Sequence, residues 1–216
     1  MYVDGSHNAY CLQAFNDPTS VITPAVVHKY NSSAVSQTHK AYRFDGSGFS
    51  FLSHGAEDSS GNLYFAGGFN INHDGVDNTG RPGLIKFNSS LVPQWYRAID
   101  VEPADASSSR YGTTAGIKIN SDGNICWSFY TGINEYGVGG IAVLPADGSG
   151  TGTYSIDGHT LDYIDISSKV TDVSSNFSFS NLSRFSTYGN TLASLNTLTP
   201  GQNGGSNVPS ITTVEV

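Results

Sequence analysis

Apolar and aromatic residues along this chain fall in short runs, some alternating with polar residues and some continuous, and each run is bounded by Gly, Asn, Asp or Pro. Runs of that length with those boundaries predict strands rather than helices. Leu84 to Phe87 and Ile117 to Ile119 are examples. No stretch sustains apolar residues at helical spacing between recognisable caps, so very little helix is expected. Asp-Gly pairs at 4–5, 45–46, 74–75, 122–123, 147–148 and 157–158 mark candidate hairpin turns, because Gly accepts positive φ without steric cost.

The sequence repeats itself. Lys29-Tyr30-Asn31-Ser32-Ser33-Ala34-Val35-Ser36-Gln37 recurs without a gap as Lys86-Phe87-Asn88-Ser89-Ser90-Leu91-Val92-Pro93-Gln94. A second element places a Gly- or Asn-bearing turn before an apolar and aromatic run at His7–Cys11, Gly61–Phe65 and Gly123–Trp127. Gly139-Gly140-Ile141-Ala142-Val143-Leu144 reads as a third copy of the later strand. The unit reads as strand, loop, strand, turn and strand, and it occurs three times before residue 157.

Small antiparallel units that cannot bury their own faces must stack, as propeller blades do. The expected fold is therefore all-β, with three propeller-blade-like antiparallel sheet repeats, about 1–45, 46–104 and 105–157, and a β-solenoid of three units as the competing arrangement. Three blades do not close a ring, since propellers use about four to eight, so other copies or a longer parent chain would complete it. Residues 158–216 are rich in Ser, Thr, Asn and Gly and read as a C-terminal β extension. Phe177, Phe179 and Leu182 alternate with polar residues in this stretch, and Ile211–Val216 reads as a last strand.

Composition narrows the function classes. The chain has 216 residues, 25 Gly, 12 Tyr and 11 Phe, with only 13% charged residues, which suits strands and tight turns and not a helical bundle. A formal charge of −8 argues against nucleic acid and against an anionic membrane surface. No apolar run approaches the ~20 residues that span a bilayer, and the first residues show no secretory signal, so no membrane insertion is expected. Cys11 and Cys126 lack zinc-ligand spacing and read as small apolar strand residues.

The segment Gly139 to Tyr154, together with Gly61 to Gly67, Gly83 to Asn88 and Trp95, resembles the propeller-like repeats in structural proteins of marine tailed bacteriophages. The first unit departs from that pattern with Thr38 in place of Trp95, and the third lacks both the Lys and the Trp. The resemblance implies a non-enzymatic virion component of the tail, tail fibre or adsorption apparatus. It implies assembly in the host cytoplasm, exposure outside the cell in the mature particle, other virion subunits as partners and a homo-oligomer. The alternative is a secreted or surface glycan-binding β-propeller adhesin.

Candidate chemistry is sparse. The six histidines stand at unrelated phases, and Asp162 and Asp165 read as solvated strand edges rather than a glycosidase pair. Asn70, Asn72, Asp74 and Asp77 place side-chain oxygens at intervals along one loop, with Gly75 at its turn, as the opening of a calcium loop does. The twelfth residue of that loop is Arg81 where a bidentate Glu would be needed. Calcium is the one cofactor this points to. Most aromatics occupy repeated strand positions suited to packing between units, which leaves Tyr111 and Tyr136 as candidates for stacking on a host-surface glycan. Asn31, Asn88, Asn176 and Asn181 open glycosylation-type triplets, but two of them share one repeat position, where turn chemistry explains them better.

Overall fold

One turn geometry, used five times, folds the repeats. In Asp4–Asn8 the Asp4 carbonyl accepts the His7 N–H, and the Asp4 N–H donates to the Asn8 carbonyl, both at 3.0 Å. Asp4 Oδ1 accepts the N–H groups of Ser6 at 2.9 Å and Asn8 at 2.8 Å. The same bonds recur in Asn31–Val35, Asp58–Asn62, Asn88–Val92 and Asn120–Asn124. The fourth residue is always left-handed: His7, Ala34, Gly61, Leu91 and Gly123 have φ between 58° and 81°. This is a type I turn followed by a left-handed residue. Its first position needs Asp or Asn, whose short acceptor reaches back over two N–H groups. Asp-Gly is therefore not the common signal, since the pair at 4–5 fills the first two places and that at 122–123 the third and fourth.

The computed structural model describes residues 1–14, 23–46, 48–72, 80–101, 110–133, 136–156 and 159–177, which belong to one compact unit, Met1–Ser178. The first antiparallel sheet holds β1 (Tyr2–Val3), β2 (Ala9–Ala14), β3 (Ala25–Tyr30) and β4 (Ser36–Phe44). The second holds β5 (Phe51–Glu57), β6 (Leu63–Asn70), β7 (Gly80–Phe87) and β8 (Pro93–Val101). The third holds β9 (Arg110–Ile119), β10 (Ile125–Ile133) and β11 (Tyr136–Leu144). Three later strands are β12 (Gly152–Ile156), β13 (His159–Asp165) and β14 (Val170–Asp172). Among the described residues the only helical elements are 3-10 turns at Ser167–Lys169 and Ser174–Asn176. All-β character is thus established, as three antiparallel sheets of which none closes on itself.

The sheets stack through their faces. Along β6, Leu63, Phe65 and Phe69 join Tyr10, Val27, Tyr42 and Phe44 of the first sheet in one core. The alternate residues Tyr64 and Ala66 join Ile125, Trp127 and Phe129 of the third sheet in another. Every residue of β6 is buried, because the middle sheet has a neighbour on each side. Phe69 stacks on Phe44 with ring centroids 4.2 Å apart. The Phe69 ring also lies on Gly83, where an added Cβ would stand 1.9 Å from it. On the other side the Trp127 indole N–H donates to Thr114 Oγ1 at 2.9 Å, and Thr114 Oγ1 donates to the Gly67 carbonyl at 3.2 Å.

The chain after residue 157 departs from the expectation of an appended arm beginning at 158. β12 and β13 form a hairpin that spans this boundary, and β13 pairs with β8 to extend the middle sheet. β14 pairs with β4 and extends the first. Asp162 therefore lies between β12 and β8, opposite Thr153 and Asp100, while Asp165 lies beyond the end of β12 and is exposed at the edge. Phe177 lies outside any strand, and Phe179, Leu182 and Ile211–Val216 lie outside the described residues.

The turn makes opposite demands of its fourth position and of the side chain placed there. A non-glycine residue in left-handed backbone costs about 1 kcal/mol or more. Ala34→Gly is expected to raise the melting temperature by about 2–4 °C and Gly123→Ala to lower it by a similar amount. Calorimetry of the two variants checks this. A change of the same sign in both would show that φ does not limit the turn.

Candidate functional site: an open edge and an apolar cleft at the third sheet

A side-chain clasp joins each of the first two sheets to the next. Asp4 Oδ2 accepts the Tyr10 hydroxyl at 2.9 Å and the Asn8 side-chain amide at 2.8 Å. Lys29, opposite Tyr10 in the ladder, lies 5.6 Å from the Tyr10 ring centroid and donates to the Ser89 carbonyl in a turn of the second sheet at 3.4 Å. The second sheet repeats the set with Asp58, Asn62, Tyr64 and Lys86. Lys86 donates to the Ala146 carbonyl at 2.9 Å, in the turn that follows β11. Arg97 donates to the Gly148 carbonyl of the same turn at 2.9 Å and pairs with Asp165 at 3.1 Å. Trp95 packs beneath Gly148, where an added Cβ would stand 2.8 Å from the indole. Trp95 thus packs against a turn of the third sheet, a contact that the smaller Thr38 of the first repeat could not supply.

The third sheet has lost the clasp. At the positions of Asp58, Tyr64 and Lys86 it carries Asn120, Cys126 and Val143, with Cys126 opposite Val143 in the ladder. On its outward face Ile141 is 75% exposed, Val143 61% and Tyr130 38%, in rows shared with Ser128 of β10 and exposed Lys118 of β9. Its outer strand also differs. In the first two sheets the chain turns after the third strand and returns along it as β4 or β8. After β11 the chain instead runs through the 145–148 turn into β12, so β11 is an edge strand among the described residues.

Beside that edge lies a cleft of about 280 Å³, between β11 and the β12–β13 hairpin. Ile99, Phe129, Leu161 and Tyr163 form buried parts of its lining. Tyr154, 48% exposed, stands at its mouth. Phe129 lies against Gly140, where an added Cβ would stand 2.5 Å from the ring. No lining residue bears a charge at neutral pH. Burial raises the Tyr163 hydroxyl pKa above the ordinary tyrosine range, and its oxygen has no hydrogen-bond partner among the described residues. The arrangement suits an apolar strand or side chain, and it offers no nucleophile and base in contact.

The residues singled out from the sequence are not gathered at this site. Asn70 ends β6, and its N–H donates to Ser50 Oγ at 2.9 Å. The Asn72 N–H donates to Asp45 Oδ1 at 2.9 Å. The Lys169 ammonium binds the Asn72 carbonyl and sits 3.2 Å from Asp45 Oδ2. The described end of the expected calcium loop thus already faces a cation. Asp74 and Asp77 lie outside the described residues, and among the described residues no group of three His, Cys, Asp or Glu is placed to hold a metal. Tyr111 lies in β9 and Tyr136 opens β11, with their side chains outside the described part. Tyr64, Phe65, Trp95, Trp127 and Phe129 are buried between sheets, as expected of packing aromatics. Asn31 and Asn88 open hairpin turns, and both cysteines are free.

One grouping was invisible in the sequence. Cys11, His28 and His39 stand in a single cross-strand row on β2, β3 and β4. His28 is buried, stacks on Tyr30 at 4.4 Å and shares a 2.8 Å hydrogen bond with Ser36 Oγ. Burial and the neighbouring His39 lower its pKa. The separations of 11, 17 and 28 residues follow no local period, so only strand register brings the three together. No protein-family model matches the sequence, and no curated protein matches it.

The clasp carboxylates are the acid-sensitive part of the structure. Burial raises the Asp58 pKa, but hydrogen bonds from Asn62, Tyr64 and Ser60 outweigh it and hold the carboxyl below its ordinary value, and Asp4 behaves alike. Their stabilisation is complete above the unfolded value near 3.9 and is lost as pH falls through the folded one. Asp58→Asn keeps a turn that Asn120 already makes, while removing the charged acceptor of Tyr64. It is expected to cost about 1.5 kcal/mol at neutral pH and to flatten the loss of stability below pH about 4. Urea unfolding across this pH range checks it, and an unchanged acid limb would remove Asp58 from this role.

Proposed function

We propose that the chain is a non-enzymatic structural protein that works by assembly, built of propeller-like β repeats with a C-terminal extension. Following the sequence resemblance, its place is in a tailed-bacteriophage virion, in the tail, fibre or adsorption apparatus. The observation that carries the assembly reading is the third sheet. Among the described residues its outer strand is an uncapped edge bearing the exposed apolar Ile141 and Val143, whereas β4 and β8 are covered by β14 and β13. Natural sheets blunt such edges with charge, proline or a covering element unless they pair with a partner. The buried faces of the other two sheets are already devoted to sheet stacking, so the described surfaces favour building over catalysis.

The full chain at micromolar concentration is expected to sediment as an oligomer. A monomer throughout that range would count against an assembling subunit. Virion membership is tested separately by mass spectrometry of purified particles of the phage that encodes the chain, which should contain it in many copies. Its absence from washed particles would reject that placement while leaving assembly open.

A second reading is favoured by the cleft. Tyr154 at its mouth beside apolar side chains could stack on a pyranose ring, as a glycan-binding module would require. A glycan array with and without calcium tests this, and no binding in either condition would remove it.

A further inference from the structure

We infer that the partner of the open edge is a second copy of this chain, paired antiparallel through β11 about a two-fold axis. The inference rests on the assembly reading and names its partner. A strand added to β11 projects alternate side chains to opposite faces, one set beside Ala142 and Leu144 and the other beside exposed Ile141 and Val143, and all four of these residues border the cleft. The incoming strand must therefore be apolar on both sides and uncharged. Residues 139–144 of β11 meet that demand themselves, as Gly-Gly-Ile-Ala-Val-Leu.

The other described edge strands do not. β1 has two residues and β14 three, one of them Asp172. β5 carries His54 and Glu57, and β9 carries Arg110 and Lys118. β12 is five residues long and contains Thr153 and Ser155. Charge points the same way. Copies bearing −8 each repel over most of their surface. β11 and the cleft lining are free of charge, so two copies can approach there at the least electrostatic cost. A two-fold axis makes such a patch self-complementary, and the three-stranded sheet becomes six-stranded across the pair.

Substitution within the repeat supports this assignment. Val143 occupies the place of Lys29 and Lys86, which hold the neighbouring sheet through an ammonium. With Lys replaced by Val and Tyr by Cys126, the third sheet cannot clasp a fourth sheet of the same kind, so simple continuation of the stack is disfavoured. The exposed apolar pair Ile141 and Val143 suits burial in a dimer.

The test is sedimentation velocity and hydrogen exchange of the full chain across a micromolar range. A concentration-dependent dimer is expected, with the amides of residues 139–144 gaining protection as it forms. Val143→Lys restores the residue of the earlier repeats at an exposed position, and it should weaken the dimer about thirtyfold or more in Kd while leaving the circular dichroism spectrum unchanged. Ile141→Thr, a milder change, should weaken it in the same direction if Val143→Lys fails to fold. A monomer at every concentration overturns both this pairing and the assembly reading. An oligomer indifferent to both substitutions overturns the pairing alone and moves assembly to another face. Protection of residues 139–144 that does not vary with concentration means that the chain itself or a co-purified partner covers the edge, and it also overturns the pairing.

Discussion

β6, inside the middle sheet, has no face left for water, and much of the described structure follows from that. A four-stranded meander with large apolar residues on both sides cannot be stable alone, since each face exposed would forgo burial worth about 25 cal/mol per Å². β6 resolves this by sending Leu63, Phe65 and Phe69 to one neighbour and Tyr64 and Ala66 to the other. Glycines are placed where large rings need room: Phe69 can lie on Gly83 only because no Cβ stands there. The one ion pair buried at both ends among those described, Arg81 with Asp100 at 2.9 Å, also spans this sheet, joining β7 to β8.

Stacking needs direction as well as apolar area, and the clasp supplies it. Asp, Tyr and Lys form a short chain of polar contacts that emerges on one side of a sheet and ends on a backbone carbonyl of the next. Because the carboxylate sits in a turn that already needs an acidic or amide side chain, the same residue shapes the hairpin and anchors the clasp. Replacing Asp by Asn preserves the first task and loses the second. The third sheet has made that replacement, and with it the stack changes from polar-clasped layers to an end whose outer strand, β11, is apolar and uncharged.

Among the described residues, the site at that end is built from an unpaired strand edge more than from added chemistry. The chain leaves β11 through a turn held by Lys86 and Arg97, and it crosses to the middle sheet as β12 and β13. This route extends the middle sheet, leaves the edge of β11 open among the described residues and creates the cleft between the two. Edge, cleft and outward face are consequences of one change of path.

The sequence alone determined the all-β character, the near absence of helix and the repeated unit, because strand periodicity and turn chemistry are local. It also located the repeated turns, although their common element is the opening Asp or Asn and not the Asp-Gly pair, and the role of that residue is visible only once its two N–H partners are placed. Loss of Lys and Trp from the third unit was legible as well, but its meaning was not. Tertiary structure decided what local pattern cannot encode: which faces meet, where β13 and β14 attach, and that Cys11, His28 and His39 share a row. It placed the cleft at β11, away from the loop beginning at Asn70 and Asn72. Register and stacking join residues far apart in the chain through geometry that leaves no fixed spacing in the sequence.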